Sequence, residues 1–139
     1  GWCRGGFNNI VSDQYFQDVY VLHVSIEDVV MSSSSDQVPH MTWHLIKTSG
    51  TEPCPRAASS GCILGNYLYI FGGGSLWTNG RVFNDVFSLD LSSWTWNEEV
   101  IQGTAPRARQ GHACIPLSDN MGLIVVGGTD NAHSPTAFA

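Results

Sequence analysis

Residues 68–87 read LYIFGGGSLWTNGRVFNDVF, and this stretch decides the fold. An apolar run rich in aromatic and β-branched residues ends at three glycines, and Asp85 then opens a second apolar run. The second run alternates in the way that a half-buried strand does. Moving back 67 positions finds the same order again, carrying Gly72, Gly73, Phe83, Asp85, Val86 and Leu89 onto Gly5, Gly6, Phe16, Asp18, Val19 and Leu22. The chain is therefore built from repeats.

A second register supports the repeats. Moving forward 53 positions carries Trp43, Gly50, Thr51, Pro53 and Arg56 onto Trp96, Gly103, Thr104, Pro106 and Arg109. The two shifts differ by 67 − 53 = 14 residues, so the first copy holds an insertion of that size between His23 and Trp43. Because residues 24–41 include a serine-rich stretch, their composition predicts a mobile loop.

The repeat period of about 50 residues predicts small antiparallel sheets that bury their faces against one another. The complete copy, residues 53–101, is predicted to hold four strands, at Ser59–Leu64, Tyr67–Phe71, Asp85–Leu91 and Trp94–Val100. The partial copy in residues 1–47 is predicted to supply strands at Trp2–Arg4, Asp18–Val24 and Thr42–Lys47. The copy in residues 106–139 is predicted to supply strands at His112–Pro116 and Leu123–Val126. Incomplete copies at both ends indicate a piece of a longer protein.

The chain resembles the kelch repeat in the order of its recurring residues. These are a Gly pair, an acidic residue at a strand start, a Trp, and then a Pro and an Arg before a His. Here the set is Gly72 and Gly73, Asp85, Trp96, Pro106, Arg109 and His112. The resemblance implies an all-β, kelch-type β-propeller fragment with four-stranded antiparallel blades, partnered by the remaining blades of the same propeller. It also implies that Trp43 and Trp96 fill gaps between blades. Arg56 and Arg109 would then hydrogen-bond carbonyls of the interblade loops.

The composition limits the classes of partner and the cellular location that the sequence favours. Twelve Asp and Glu outnumber six Lys and Arg, and the basic residues are scattered singly, so neither nucleic acid nor a membrane is an expected partner. Four cysteines show neither the close pairing of a zinc site nor the density of a disulfide scaffold. Cys62 and Cys114 fall on inferred innermost strands, where buried thiols are common. A cytoplasmic location is therefore favoured.

Candidate binding residues lie on loops expected at one face of such a propeller. Aromatic and arginine side chains are enriched at binding hot spots, and the candidates are Trp77, Asn79, Arg81, Arg107, Phe7 and Asn8. The alternative reading has Trp77 folding back over the edge of its blade and Arg107 only solvated.

No catalytic residue, metal site or cofactor is predicted. The kelch resemblance implies that His112 is a structural, hydrogen-bonded imidazole, and the sequence places no nucleophile with an orienting carboxylate to join it. Asp130 and His133 have no further ligands nearby in the sequence. The sequence therefore favours a protein or peptide interaction module, without enzyme activity, within an adaptor or scaffold. The alternative is an accessory propeller domain of a larger enzyme, since some kelch propellers are attached to enzymes.

Overall fold

A computed structural model describes residues 15–31, 34–75, 80–119 and 121–130. It divides the chain into two compact units, one formed by residues 18–48 and the other by residues 1–17 with 49–139. Every regular element in the described residues is a β-strand. The strands are β1 (Val19–Met31), β2 (Ser34–Ile46), β3 (Ser49–Gly50), β4 (Ser60–Leu64), β5 (Tyr67–Phe71), β6 (Gly74–Ser75), β7 (Arg81–Val82), β8 (Val86–Asp90), β9 (Thr95–Glu98), β10 (Gln110–Pro116) and β11 (Leu123–Thr129).

The complete repeat folds as a meander. Strands β4, β5, β8 and β9 pair antiparallel in that order, and the two-residue β3 adds parallel to β9 at the outer edge. The four strands predicted for this repeat lie at these places, with ends that differ by at most two residues. Gly50, in β3, has a φ of +86°, and a Cβ there would collide with the Trp96 carbonyl oxygen. Its repeat equivalent, Gly103, has a φ of +83°. The positive φ that both positions share favours glycine and explains why it recurs.

The core of the repeat sheet is small and aromatic. Leu89 and Ser88 on β8 are almost completely buried, and Trp96 on β9 lies directly opposite Leu89. Phe71 and Phe87 are also buried. The burial of Trp96 accords with its predicted packing role.

The Gly pair after β5 permits a close approach of backbones, as predicted. Gly72 and Gly73 have φ values of +61° and +92°. A Cβ at Gly72 would lie 2.6 Å from the Arg109 carbonyl oxygen, and one at Gly73 would lie 2.9 Å from the Ala57 carbonyl oxygen. The pair therefore lets the segment before β4 and the segment before β10 meet at the end of the second strand.

The last copy supplies the hairpin β10–β11, in register from Gln110 opposite Thr129 to Pro116 opposite Leu123. The predicted end of the second strand at Val126 is wrong, because β11 continues through Gly128 and both Gly127 and Thr129 pair with β10. Both glycines have positive φ, yet the chain stays close enough to β10 to pair.

The insertion in the first copy forms strands, so the predicted loop is wrong. Strands β1 and β2, each of 13 residues, pair without a break from Val19 opposite Ile46 to Met31 opposite Ser34. The inner strands already hold the two segments side by side, so each further residue extends an existing ladder without a new nucleation step. The prediction from composition alone did not take into account that residues 24–41 continue the flanking strands.

The insertion leaves the inner register unchanged. Leu22 lies opposite Trp43, as Leu89 lies opposite Trp96 in the complete repeat. The burial of the two pairs differs sharply: Leu22 is 38% and Trp43 is 65% exposed, whereas Leu89 is 0% and Trp96 is 5% exposed. That Trp43 fills a gap between blades stays a prediction, because its burial depends on the neighbouring blade that lies against this face.

The exposed pair belongs to a continuous apolar face. The register places Tyr20, Leu22, Val24 and Ile26 of β1 beside Met41, Trp43 and Leu45 of β2. All seven side chains are exposed. Patches of this kind in soluble proteins mark interaction sites or cause aggregation.

The predicted strand Trp2–Arg4 lies outside the described residues. Within the described part of the chain, no helix is long and apolar enough to cross a membrane.

We expect this 139-residue chain to self-associate through the apolar face. Replacing Trp43 with Thr removes the largest exposed side chain and should shift sedimentation velocity profiles toward the monomer. The variant His44→Thr, at an exposed neighbouring position on the other face, is the matched control and should behave as the parent chain. A parent chain that sediments as a single monomer at tens of micromolar would contradict the expectation.

Candidate functional site

Four loop segments meet at one end of the complete repeat. The backbones of Ala57 and Gly74 exchange two hydrogen bonds of 2.9 Å, which join the segment before β4 to the turn after β5. The Gly73 N–H donates to the Arg109 carbonyl at 2.9 Å, and the Arg109 N–H donates to the Phe83 carbonyl at 3.0 Å. These bonds tie residues 51–59, 72–75, 80–85 and 102–109 into one surface, here called the loop end.

Arg56 holds the loop end together. Its guanidinium donates to the carbonyls of Cys54 at 3.1 Å and Gly72 at 2.9 Å, which confirms the predicted role. It also makes a two-pronged ion pair with Asp85, with N–O distances of 2.6 and 3.0 Å. The Arg56 side chain is only 5% exposed and that of Asp85 is 23% exposed. Paired arginine–carboxylate contacts of this geometry are strong and directional.

Aromatic rings complete the surroundings of Arg56. The guanidinium carbon lies 4.2 Å from the centroid of the Phe83 ring and 5.4 Å from that of Phe87. Cation–π attraction gains strength where water is excluded, as it is around this buried cation. The guanidinium therefore joins the interblade segment, the Gly pair and the start of β8.

Arg109 repeats part of this arrangement in the next copy. Its guanidinium donates to the carbonyls of Arg107 at 3.2 Å and Gly127 at 2.9 Å. These acceptors occupy the same relative positions as Cys54 and Gly72 do for Arg56, so the predicted carbonyl-binding role is confirmed for both arginines. The sequence analysis assigned Asp85 only to a strand start and missed its ion pair. The sequence did carry one signal for this ion pair, because the acidic residue and the arginine both recur in the repeat pattern.

Two of the predicted binding residues lie in the described loop end. Arg81 is exposed on β7, with its guanidinium carbon 5.5 Å from the Phe83 ring centroid. Arg107 is exposed and lines a shallow depression of about 280 Å³ with Ala108, Arg109, Gly128, Thr129 and Asp130. Trp77, Asn79, Phe7 and Asn8 lie outside the described residues.

His112 is buried beneath the loop end, and its packing is structural. Its ring meets the ring of Phe71 edge-on at a centroid distance of 5.1 Å, and the residue is 8% exposed. Among the described residues neither ring nitrogen has a partner in strict hydrogen-bond geometry, so the predicted hydrogen bonding of the ring stays a prediction. Burial lowers the pKa of His112; the nearby Phe71 backbone opposes that shift, and the charge of Arg109 adds to it. The ring is therefore held in its neutral form.

Within the described ranges, no group of three or more His, Cys, Asp or Glu side chains could hold a metal ion. His133 lies outside those ranges.

Comparison with known proteins agrees with this architecture. Residues 3–138 match the family model described as the KLHDC2/KLHL20/DRC7 Kelch-repeats domain. The chain belongs to the kelch-repeat family. Its all-strand fold with antiparallel sheets is that of a kelch β-propeller segment, and kelch repeats generally mediate protein–protein interactions.

Three relatives show how widely this segment occurs. Acyl-CoA-binding domain-containing protein 5 of Arabidopsis thaliana is 39% identical over 66% of this chain. Kelch domain-containing protein 1 of Homo sapiens is 39% identical over 62%, and kelch domain-containing protein 2 of Bos taurus is 35% identical over 70%. The matched segments make up 13%, 20% and 23% of these relatives, respectively.

We expect Arg56→Ala to destabilise the chain by about 3 kcal/mol, because it leaves the Asp85 carboxylate and two carbonyls without their cation. Urea unfolding should show the loss as a lower midpoint. Arg109→Ala is the matched control: it removes an equivalent arginine with two carbonyl bonds, and it should cost less. Equal losses for both variants would contradict the central role of the Asp85 ion pair.

We expect acid to destabilise the fold through His112. The folded-state pKa lies below the unfolded value of about 6.5, so the unfolded chain takes up the proton first. Stability should therefore fall as the pH drops below about 6.5, until the folded-state pKa is reached. In urea titrations from pH 7.5 to 5, His112→Gln should weaken this dependence, and the exposed-site control His44→Gln should leave it in place. An unchanged slope in His112→Gln would refute the assignment.

Proposed function

We propose that this segment is a non-enzymatic binding module that presents the loop end to a protein or peptide partner, within a cytoplasmic adaptor or scaffold. The observation that carries the proposal is the bracing of the loop end by Arg56. A surface held by an ion pair, four interloop backbone bonds and two glycines loses little conformational entropy when a partner binds.

The side chains on this braced surface suit recognition. Arg81 and Arg107 are exposed, while Arg56 below them is buried and engaged. Arginine offers a planar set of donors to carboxylates and carbonyls of a partner. With Trp77 and Asn79 on the connection between β6 and β7, the surface would combine aromatic and polar contacts of the kind enriched at hot spots.

Charge and family membership favour a protein partner over other classes. The chain carries six more acidic than basic residues, a poor match for nucleic acid or anionic lipid. Relatives that differ in their other parts share these repeats, which fits a module used for attachment. The accessory domain of a larger enzyme is the alternative, and it would use the same loop end to dock a neighbouring domain.

The test compares partners captured by the full-length protein and its variants. Two variants are compared with the parent: the double variant Trp77→Ala with Arg81→Ala, and the single variant Arg107→Ala. Both should lose the same set of co-purifying proteins in quantitative mass spectrometry. Met121→Ser is the matched control: it changes an 84% exposed side chain in the β10–β11 hairpin turn, away from the loop end, and should retain them. Thermal melts should show that all variants are folded. Retention of every partner by both loop-end variants would overturn the proposal.

A further inference from the structure

The two innermost strands β4 and β10 run side by side in neighbouring repeats. The Gly111 N–H donates to the Ala58 carbonyl at 2.8 Å, and the Cys114 N–H donates to the Ser60 hydroxyl at 2.8 Å. Both residue numbers increase from the first bond to the second, so the strands are parallel. The second bond places Cys114 beside Ser60, two residues before Cys62 on β4.

The Cys62 side chain points toward β10. Side chains alternate along a strand, so Ser60 and Cys62 share one face of β4. The Ser60 hydroxyl reaches the backbone of Cys114, which turns this face toward β10. Cys62 is buried on the same face, with 9% exposure.

The Cys114 side chain points toward β4. His112 and Cys114 share one face of β10, and His112 packs against Phe71. Phe71 lies directly opposite Ser60 in the β4–β5 ladder. The face of β10 that carries Cys114 is therefore turned toward the face of β4 that carries Cys62.

A disulfide requires the two cysteines to come close. The strands β4 and β10 belong to different sheets, yet the 2.8 Å bond from the Cys114 N–H to the Ser60 hydroxyl brings Cys114 within the length of one side chain of β4. Cys62 lies two residues, or roughly 6.6 Å, farther along that strand, so closing the bond requires the two strands to move closer there. Disulfides join Cα atoms about 4.4–6.8 Å apart. The two thiols are unbridged in this structure. They influence each other electrostatically: burial raises the pKa of Cys62, and the proximity of Cys114 raises it further.

We propose that Cys62 and Cys114 form an oxidation site. A hydroperoxide would oxidise the two thiols to a disulfide that joins neighbouring blades. The more accessible Cys114 reacts first: its thiolate attacks the peroxide, the O–O bond breaks, and a sulfenic acid and water (or an alcohol) result. The Cys62 sulfur then attacks the sulfenic sulfur, the S–O bond breaks, and a second water leaves with the thiol proton. Both thiols are oxidised together by two electrons, and the peroxide is reduced.

Such a bond would join two repeats at their innermost strands. Cross-linking residues 62 and 114 restricts the unfolded chain over the intervening loop, so the oxidised protein should unfold at a higher temperature. Because Cys62 is buried, closure should be slow, with a lag after Cys114 has reacted.

The experiment treats the 139-residue chain with hydrogen peroxide and maps the linked peptides without reduction. In the variant Cys3→Ser with Cys54→Ser, only Cys62 and Cys114 remain, and both titratable thiols should disappear. A peptide pair containing Cys62 and Cys114 should appear, and the melting temperature should rise and return on addition of dithiothreitol. Adding Cys114→Ser, a half-buried position, should abolish the linked pair and the shift.

Two outcomes would overturn the proposal. One is progression of Cys114 in the two-cysteine variant to sulfinic acid with Cys62 still reduced. The other is linkage between separate chains only, seen as a dimer on non-reducing gels. Neither result depends on whether the loop end binds a partner.

Discussion

The ion pair between Arg56 and Asp85 is the interaction on which the loop end depends. One buried guanidinium satisfies a carboxylate and two backbone carbonyls that come from three different segments of chain. Two phenylalanine rings exclude water from it. Since loop backbone must find hydrogen-bond partners or remain solvated, this single side chain lets irregular segments cross each other closely. The glycine pair supplies the space, and the arginine supplies the donors.

Periodicity predicted much of the fold, because the strand pattern of each repeat is local. Residues 60–71 and 86–98 alternate and turn as their own sequence indicates. The predicted roles of Arg56 and Arg109 followed from the kelch resemblance. The ion pair with Asp85 was missed, because an acidic residue at a strand start has several common uses and only the fold shows which cation it meets.

The error at the insertion has a physical cause. Residues 24–41 were assigned from composition, although their conformation is set by the strands from which they continue. The packing of Trp43 between blades stays a prediction, because the burial of a side chain depends on the chain that lies against its face. For His112, burial against Phe71 confirms the structural position that the sequence pattern indicated, whereas the hydrogen bonds of its ring stay a prediction.

The long β1–β2 pair shows that two strands can lengthen without a change in the pairing near their base. Leu22 faces Trp43 just as Leu89 faces Trp96, although many more residues lie between the first pair. Residues added beyond Met31 and Ser34, the last described pair, would extend both strands and leave the pairs nearer Val19 and Ile46 in place. A foreign peptide, such as an epitope tag or a fluorescent label, inserted beyond that pair should leave the rest of the sheet in register.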